Sequence, residues 1–295
     1  MSGPSLRVGV DLGGTSAKIG LVRDGELVSR AQVPNPHDLE ACVNAIVGAV
    51  EGMMKGQAPD SVGVGLPGVT DETQRVILSA PNLSFLEHQE FAFALERRLG
   101  VPVKLENDAN VAALGEARFG TGAHYPNFLL ATLGTGVGGG IVLNGELWRG
   151  PGGMAGEFGH ILTGHALRCG CGSIGCLEAV ASARAMERAG EEAFGRAIAL
   201  PELIRLADAD QPDPRALAVF EHAGRYFGEA LATVALLLDL RVFLVGGGGA
   251  PVLKFLEPHA LAVLDRRAFG RRAADFTLLP ARLGNDAGVL GAAML

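Results

Sequence analysis

The feature that most restricts the fold of this chain is an internal repeat. Leu6 to Val10 is an apolar run that leads into a loop rich in glycine and threonine, and Phe128 to Leu133 does the same later in the chain. Two further short apolar runs follow each loop, joined by Asp24-Gly25 and by Asn144-Gly145, dipeptides that are typical of β-hairpin turns. This strand, loop and hairpin recur about 120 residues apart, a period that favours a duplicated α/β lobe over a solenoid.

Periodicity and capping residues predict the remaining elements. Asp38 is a candidate N-cap for a helix whose apolar residues recur at helical spacing as far as Val50. Cys42 falls on the apolar face of that helix, so we expect a core position for it. Gly100 is a predicted helix stop. The other predicted elements are the helices Phe91 to Leu99, Ala109 to Arg118 and Ala287 to Leu295, and the strands Ala17 to Val22, Leu27 to Val33, Val62 to Leu66, Val101 to Leu105 and Val242 to Val245.

Composition excludes several classes of protein. The 295 residues suit two domains or one two-lobed unit, and 48% apolar with 19% charged residues is ordinary for a globular core. A formal net charge of −7 argues against nucleic acid and anionic membranes as partners. Met1 to Arg7 lacks the pattern of a signal peptide, and the longest apolar segment, Ala230 to Leu238, is far too short to cross a bilayer. We therefore expect a cytoplasmic protein.

Three glycine clusters lie at the carboxyl ends of predicted strands, where α/β folds bind their ligands. They are Gly13-Gly14-Thr15, Gly134 to Gly140 and Gly246 to Gly249, and the first two contain a Gly-Thr pair. Glycine lets backbone N–H groups surround phosphate oxygens, so three such loops in one chain are best explained by one nucleotide. No cluster matches the P-loop or the dinucleotide-binding pattern, which disfavours a Walker ATPase and a dinucleotide enzyme.

A cysteine cluster predicts a metal site. Cys169, Cys171 and Cys176 fall within eight residues, and His160 lies nine positions before the first of them. Cys₃His suits a structural, tetrahedral Zn²⁺. A disulfide with a spare thiol, or unrelated buried thiols, would be the alternatives, but four cysteines in 295 residues make a poor disulfide framework. Glu157 and Glu178 flank the cluster and indicate a binding site beside it.

Taken together, these motifs resemble the ROK family of bacterial sugar kinases and related repressors, over almost the whole chain. Asp11 to Thr15 and Leu133 to Gly140 resemble the two phosphate loops of the wider actin-like, hexokinase-like ATPase superfamily, and Gly246 to Gly249 resembles its adenosine-side loop. Glu106 to Asn110 resembles the catalytic segment of the family. Glu157-Phe158-Gly159-His160, with Cys169 to Glu178, matches its sugar-and-zinc signature. Many members have a basic residue directly after Gly-Gly-Thr, whereas Ser16 and Ala17 precede Lys18 here, so Lys18 is left out of the predicted site.

The resemblance implies a two-lobed α/β fold with duplicated mixed-sheet domains and a cleft between them. We expect a small domain of residues 1–107 with 285–295, and a large domain of residues 108–284 that carries the zinc segment. The implied activity is ATP-dependent phosphorylation of the 6-hydroxyl of a hexose, with Mg²⁺. Glucose is the first choice, because Gly152 to His160 closely resembles the glucokinases of the family.

The resemblance also implies roles for individual residues. Asp108 would be the general base, although a helix N-cap is its alternative role. Asn107 and Asn82 would bind the sugar, with local turn stabilisation as their alternative. The complete predicted set for the sugar is Gly68, Asn82, Asn107, Asp108, Glu157, His160 and Glu178. The predicted set for ATP and Mg²⁺ is Asp11, Gly13, Gly14, Thr15, Gly134, Thr135, Gly136, Gly246, Gly247 and Gly248, and the set for zinc is His160, Cys169, Cys171 and Cys176.

Other functions remain open at this point. A sugar-responsive repressor of the same family would carry an amino-terminal helix-turn-helix region, which we do not expect because the first loop strand starts at Leu6. An actin-like scaffold protein would have no use for the cysteine segment. N-acetylmannosamine, fructose, mannose and allose are alternative substrates, and polyphosphate is an alternative donor. A homodimer is typical of the family.

Overall fold

The computed structural model describes residues 5–295, so part of the segment judged for a signal peptide lies outside the described residues. The strands in that range are β1 (Leu6–Leu12), β2 (Ser16–Arg23), β3 (Glu26–Pro34), β4 (Ser61–Leu66), β5 (Val69–Thr70), β6 (Ile77–Ser79), β7 (Val103–Asn107), β8 (Phe128–Leu133), β9 (Val137–Leu143), β10 (Glu146–Trp148), β11 (Val242–Gly246) and β12 (Thr277–Pro280). The α-helices are α1 (Leu39–Met54), α2 (Phe91–Leu99), α3 (Asp108–Phe119), α4 (Glu178–Ala181), α5 (Ala183–Phe194), α6 (Leu200–Ala207), α7 (Pro214–Leu238), α8 (Leu253–Arg267) and α9 (Ala287–Ala292). Short 3₁₀ helices span Pro81–Leu86, Thr121–His124, Phe158–His160, Ala250–Val252, Ala273–Asp275 and Gly284–Asp286.

Sheet topology confirms the predicted duplication. The first five-stranded sheet has the order β3-β2-β1-β4-β7 and the second has the order β10-β9-β8-β11-β12. In the first, β1 pairs antiparallel with β2 and parallel with β4. In the second, β9 pairs antiparallel with β10, and β11 pairs parallel with both β8 and β12. In each sheet the strand that precedes the glycine loop, β1 or β8, lies in the centre. The two strands of the hairpin that follows the loop lie on one side of it, and two strands from later in the chain lie on the other.

The chain separates into two compact units. The first comprises the described residues up to Pro126 with Gly140–Gly156 and Asn285–Leu295, and the second comprises Asn127–Gly139 with Glu157–Gly284. These units are not the same as the domains predicted above, since helix α3 lies in the first unit. A side chain at Gly115 of α3 would meet the backbone oxygen of Ala287 at 2.5 Å, so α3 and α9 pack backbone to backbone there.

The core of the first unit fills the space between its sheet and helices α1 and α2. Val8, Val10 and Val64 from the central strands and Ile46 from α1 are fully buried. The Asp38 carboxylate accepts a bond from Ala41 N at 2.9 Å, which confirms the predicted N-cap of α1. Cys42 is buried on this helix, as predicted, and burial raises the pKa of its thiol to about 11.

The opposite face of the same sheet is covered by α9 at very short range. A Cβ added at Gly63 would lie 1.8 Å from the Ala292 oxygen, and one at Gly9 would lie 1.9 Å from the Val289 oxygen. Glycine in the two central strands therefore lets the helix backbone rest directly on the sheet.

The second unit is built around helices α7 and α8. Gly228 on α7 lies against Ala260 on α8, where an added Cβ would be 2.8 Å from the Ala260 backbone, and Phe220 stacks on Phe255 with ring centroids 4.9 Å apart. The predicted apolar segment Ala230 to Leu238 is the last part of α7. No helix within residues 5–295 combines the length and apolar character needed to cross a membrane.

Most predicted elements agree with the structure to within one or two residues at each end. The helix predicted from Ala287 to Leu295 ends three residues early, at Ala292. The strand predicted at Val101 to Leu105 is shifted as a whole by two residues and forms β7. Pro102 has no N–H to give to a ladder, and parallel pairing with β4 begins at Val103 opposite Val62. The later strand brings Asn107, not Asp108, to the end of β7.

Candidate functional site

The first glycine loop is a tight connection between β1 and β2. Gly13 N donates to Ser16 O at 2.9 Å. The buried Asn35, which follows β3, stabilises the loop because its Nδ2 donates to Gly13 O at 3.0 Å. Gly14 is next to Asn82, whose Cβ would lie 3.7 Å from a side chain at that glycine. The loop leaves Thr15 exposed at its tip. A predicted phosphate loop and a predicted sugar residue are therefore neighbours within the first unit.

Asp11 on β1 forms an ion pair that sequence reasoning missed. Lys18 is its antiparallel partner on β2, and Lys18 Nζ lies 3.6 Å from Asp11 Oδ2. Burial raises the pKa of the Asp11 carboxyl above its ordinary value, and the Lys18 ammonium opposes that shift. Strand register would have revealed this pair, because two residues that face each other across a hairpin share one side of the sheet.

The catalytic segment identified by resemblance lies where β7 meets α3. Asn107 is the N-cap of α3: its Oδ1 accepts from Ala109 N at 2.9 Å and from Asn110 N at 3.1 Å. Its Nδ2 donates to Gly68 O at 3.2 Å. Asp108 is the first residue of the helix and is half-buried, with its Oδ1 accepting from Ala109 N at 2.8 Å. The capping role considered for Asp108 is therefore filled by Asn107.

Gly68 is packed too closely for any side chain. A Cβ there would meet Ser79 O at 2.5 Å and the Ala80 side chain at 2.7 Å. Asn82 follows in the 3₁₀ helix Pro81–Leu86 and is exposed. In the first unit, then, Gly68, Asn107 and Asp108 form one group, and Asn82 contacts the first glycine loop.

A second feature that the sequence did not indicate lies directly behind this segment. Glu106 is buried, and its carboxylate accepts hydrogen bonds from four donors. These are Asn107 N at 2.8 Å, Asn110 Nδ2 at 3.0 Å, Gln74 Nε2 at 3.0 Å and Arg149 Nε at 2.5 Å. Sequence reasoning assigned no role to Glu106 or Arg149.

In the second unit, two predicted nucleotide loops lie side by side. The loop after β8 closes with Gly134 N donating to Gly136 O at 2.9 Å, and it leaves Thr135 exposed as Thr15 is exposed in the first unit. Gly249 N donates to Leu133 O at 2.7 Å, and a Cβ at Gly247 would lie 2.5 Å from that same oxygen. Gly246 is buried, whereas Gly247 and Gly248 are exposed. The adjacency follows from the parallel pairing of β8 with β11.

The predicted metal ligands come together in the same unit. The ligand atoms of His160, Cys169, Cys171 and Cys176 all lie within 4.8 Å of one another. Cys171 Sγ is 3.7 Å from Cys176 Sγ, and Cys169 Sγ is 3.9 Å from His160 Nδ1. A tetrahedral Zn²⁺ with bonds of about 2.3 Å to sulfur places its ligand atoms roughly 3.8 Å apart, so these residues fit the ion. All four cysteines of the chain are unbridged, which disfavours the disulfide alternative.

Local backbone geometry produces this arrangement. Cys169 N donates to Ser173 O at 2.8 Å, and isolated bridges pair Leu162 with Cys176 and Arg168 with Ile174. Gly172 and Gly175 have φ of 95° and 94°, values that suit glycine in the tight turns between the cysteines.

The three thiols differ in acidity. Burial raises the pKa of Cys169 to about 12 and also raises the pKa of Cys176, whereas hydrogen bonding to Ser173 N–H lowers the pKa of Cys171 to about 7.

The carboxylates that flank the cluster differ in their contacts. Glu157 is exposed, with its Oε2 3.9 Å from His160 Nε2, the ring nitrogen opposite the one that faces Cys169. Glu178 is half-buried: its Oε2 accepts from Val137 N at 3.0 Å, and Cys169 Sγ approaches its Oε1 at 3.6 Å. Glu178 therefore joins the cysteine cluster to the loop after β8, a contact that sequence reasoning did not anticipate.

Comparison with known proteins identifies the family. The model of the ROK family matches residues 7–295. A glucokinase from Streptomyces coelicolor is 39% identical over 318 residues, which cover 98% of this chain and 97% of the relative. The chain therefore belongs to the ROK family.

Solved structures agree with that assignment. A ROK hexokinase from Thermus thermophilus has a TM-score of 0.84 at 38% identity and covers 98% of this chain and 97% of its own. A ROK family glucokinase from Streptomyces griseus, in complex with glucose and AMPPNP, has a TM-score of 0.80 at 36% identity and covers 98% of each chain. These similarities confirm the predicted actin-like, hexokinase-like ATPase fold.

Proposed function

We propose that this protein transfers the terminal phosphoryl group of ATP to the 6-hydroxyl of a hexose, with glucose as the preferred acceptor. The observation that carries the proposal is the similarity, over 98% of both chains, to a glucokinase whose structure contains glucose and an ATP analogue. Two glycine loops that follow equivalent strands, and an aspartate at the start of a helix, are the parts that phosphoryl transfer requires.

Asp108 is the proposed general base that takes the proton of the attacking hydroxyl. Asn107 binds and orients the sugar, and its bonds to Gly68 O and to the first turn of α3 keep its amide in one orientation. Asn82 and the Gly68 backbone complete the sugar contacts proposed in the first unit. Asp11 is the proposed residue that holds Mg²⁺, directly or through water. The Lys18 ammonium, 3.6 Å from the Asp11 carboxylate, adds a positive charge that favours bound phosphate.

In the second unit, the carboxylates of Glu157 and Glu178 accept hydrogen bonds from sugar hydroxyls, and His160 contributes its Nε2. Gly134, Thr135 and Gly136 bind phosphate oxygens through backbone N–H groups and a hydroxyl. Gly246, Gly247 and Gly248 contact the adenosine side. The hydrogen bond between the two loops through Leu133 O supports one shared ligand.

We also propose that His160, Cys169, Cys171 and Cys176 hold a structural Zn²⁺. When bound, the ion supplies a cross-link between the 3₁₀ helix that contains His160 and the cysteine turns, with all four positions occupied by protein ligands. That cross-link fixes the His160 ring and, through Cys169, the neighbourhood of Glu178. A homodimer in the cytoplasm is the proposed assembly and location, and sedimentation analysis tests the dimer.

The deciding experiment is a panel of sugars assayed with ATP and Mg²⁺ by formation of the 6-phosphate. We expect the highest kcat/KM for glucose over N-acetylmannosamine, fructose, mannose and allose, with polyphosphate tested as a second donor. Calorimetric binding of a hexose without any turnover would instead favour a sugar-responsive regulator. Absence of both turnover and hexose binding would end the proposal.

The role of Asp108 is tested by Asp108→Asn. This change keeps the size of the side chain and removes the base, so we expect kcat to fall by about 10² to 10⁴-fold while glucose binding and the melting temperature stay close to wild type. Near-normal kcat in the folded variant would exclude Asp108 as the base.

A further inference from the structure

Behind the catalytic segment, the side chains of Glu106 and Arg149 form an ion pair whose carboxylate is almost closed to solvent. The Glu106 side chain is 1% exposed and the Arg149 side chain is 21% exposed, with Arg149 Nε 2.5 Å from Glu106 Oε2. Burying a carboxylate is unfavourable unless all its oxygen lone pairs find partners. An ionised carboxylate accepts about four hydrogen bonds, so the four donors around Glu106 satisfy it completely.

The two oxygens of Glu106 have different partners. Oε1 accepts from Asn107 N and from Asn110 Nδ2, one donor on each side of Asp108 in the sequence. Oε2 accepts from Gln74 Nε2 and from Arg149 Nε. The first oxygen therefore fixes the end of β7 and the first turn of α3, and the second anchors the same carboxylate to other segments.

Arg149 extends the anchor to the segment that follows Gly68. Its Nη2 donates to Thr70 Oγ1 at 3.2 Å and to Asp71 O at 3.3 Å, and its Nη1 donates to Glu72 O at 3.3 Å. Asn107 Nδ2 binds Gly68 O in the same unit. One connected network thus reaches from Gly68 to the first turn of α3.

We propose that Glu106 and Arg149 are positioning residues, which hold Asn107 and Asp108 in the orientation that the reaction needs. The proposal rests on the proposed function for its kinetic part. Neither side chain is assigned to the substrate, so both act through Asn107 and Asp108. Stability alone does not explain a buried ion pair, because replacing such a pair with apolar residues of similar volume often leaves the free energy of unfolding unchanged or increases it. The bonds from Glu106 to Asn107 and Asn110, on either side of Asp108, give the pair a role in positioning instead.

The first test is Glu106→Gln, which keeps the shape of the side chain but replaces one carboxylate oxygen with an NH₂ group and removes the negative charge that faces Arg149. The variant therefore accepts hydrogen bonds through one oxygen only. We expect kcat to fall by about tenfold to a hundredfold, since a misplacement near 1 Å can have that effect, while the KM for ATP stays unchanged. Arg149→Lys keeps the positive charge but not the forked donor, so we expect the same direction with a smaller fall. The double variant Glu106→Gln with Arg149→Gln leaves no unpaired charge and should recover thermal stability but not kcat.

The matched control is Glu96→Gln. Glu96 also binds an arginine, Arg75, and a strand N–H, Val103 N at 2.9 Å, and its side chain is 24% exposed. Both of these partners of Glu96 lie outside the catalytic segment, residues 106–110. We expect Glu96→Gln to lower the melting temperature with kcat unchanged.

Amide hydrogen exchange provides a readout that does not depend on activity. Residues 105–111 should exchange faster in Glu106→Gln and Arg149→Lys than in wild type or in Glu96→Gln. If wild type phosphorylates no sugar, the proposed function fails and exchange alone decides the positioning role. Folded variants with wild-type kcat and wild-type exchange at 105–111 would overturn the inference. So would a double variant that recovers kcat together with stability, because that result would make the role purely structural.

Discussion

Gly136→Ala offers a sharp test of the position of Glu178. An added Cβ at residue 136 would lie 2.4 Å from Glu178 Oε2 and 3.3 Å from its carboxyl carbon. The neighbour is the end of a side chain, so the carboxylate can move, but it has to retreat by roughly 1 Å to reach ordinary contact distance. The backbone φ at Gly136 is not in the left-handed region, so alanine itself is tolerated there.

The retreat of Glu178 has a calculable effect. The carboxylate loses its bond from Val137 N, 3.0 Å long, and a hydrogen bond to a charged group contributes about 1.5–3 kcal/mol. Since about 1.4 kcal/mol corresponds to a factor of ten, any equilibrium that needs Glu178 in place should weaken by about tenfold to a hundredfold. If Glu178 binds a sugar hydroxyl, glucose affinity is that equilibrium.

Titration calorimetry with glucose, in the absence of nucleotide, measures the effect directly. The matched control is Gly134→Ala in the same loop, where an added Cβ meets no atom within 4 Å. We expect glucose affinity to fall in Gly136→Ala and to stay at the wild-type value in Gly134→Ala. Equal glucose affinity in the two variants would refute the assignment of Glu178 to the sugar.

Three further predictions concern the metal ligands and the sheet. Chelation, or Cys171→Ser, should lower the melting temperature and the glucose affinity together, because each removes the proposed zinc cross-link, and adding zinc to the chelated protein should restore both. A metal-free protein with unchanged melting temperature and glucose affinity would contradict the proposed cross-link. In metal-free protein at pH 7, iodoacetamide should label Cys171 before Cys169, because their pKa values are about 7 and about 12, and labelling of Cys171 should rise with pH through 7, as peptide mass spectrometry can follow. Gly63→Ala places Cβ 1.8 Å from Ala292 O and should destabilise by about 1–3 kcal/mol, whereas Gly48→Ala, with open space on helix α1, should stabilise by about 0.4–1 kcal/mol in urea unfolding.

Features that depend on neighbouring residues could be predicted from the sequence. Asp38 caps α1, Gly100 ends α2 with φ of 71°, and Asn144-Gly145 turns the second hairpin with φ of 54° and 79°. Each outcome depends on the chemistry of one or two residues, so the sequence contains the necessary information. The cysteine cluster belongs to the same group, because its ligands lie close together along the chain.

Contacts between distant residues could not be predicted. Glu106 and Arg149 are separated by 43 positions, and Val137 and Glu178 by 41. No local pattern identifies such partners, since they meet only after strands and helices have packed. The pair Asp11 and Lys18 is intermediate, because the hairpin register that joins them follows from the turn. Local bonding by the Asn107 side chain was considered, and its Oδ1 does accept from nearby backbone N–H groups. Its position as the N-cap of α3 was not predicted, because β7 extends two residues beyond its predicted end and its register is set by pairing with β4.

If the cysteine cluster holds Zn²⁺ and Glu178 binds the sugar, as proposed above, the contact between Cys169 and Glu178 connects the two sites. A neutral Cys169 thiol is a donor, and its sulfur lies 3.6 Å from Glu178 Oε1. A cysteine that ligates Zn²⁺ does so as a thiolate and has no proton to donate. Metal binding would therefore release Oε1 of Glu178 as an acceptor for a sugar hydroxyl, while Oε2 stays bound to Val137 N. A bound ion would then both stiffen the cysteine turns and leave one carboxylate oxygen of Glu178 available to the substrate.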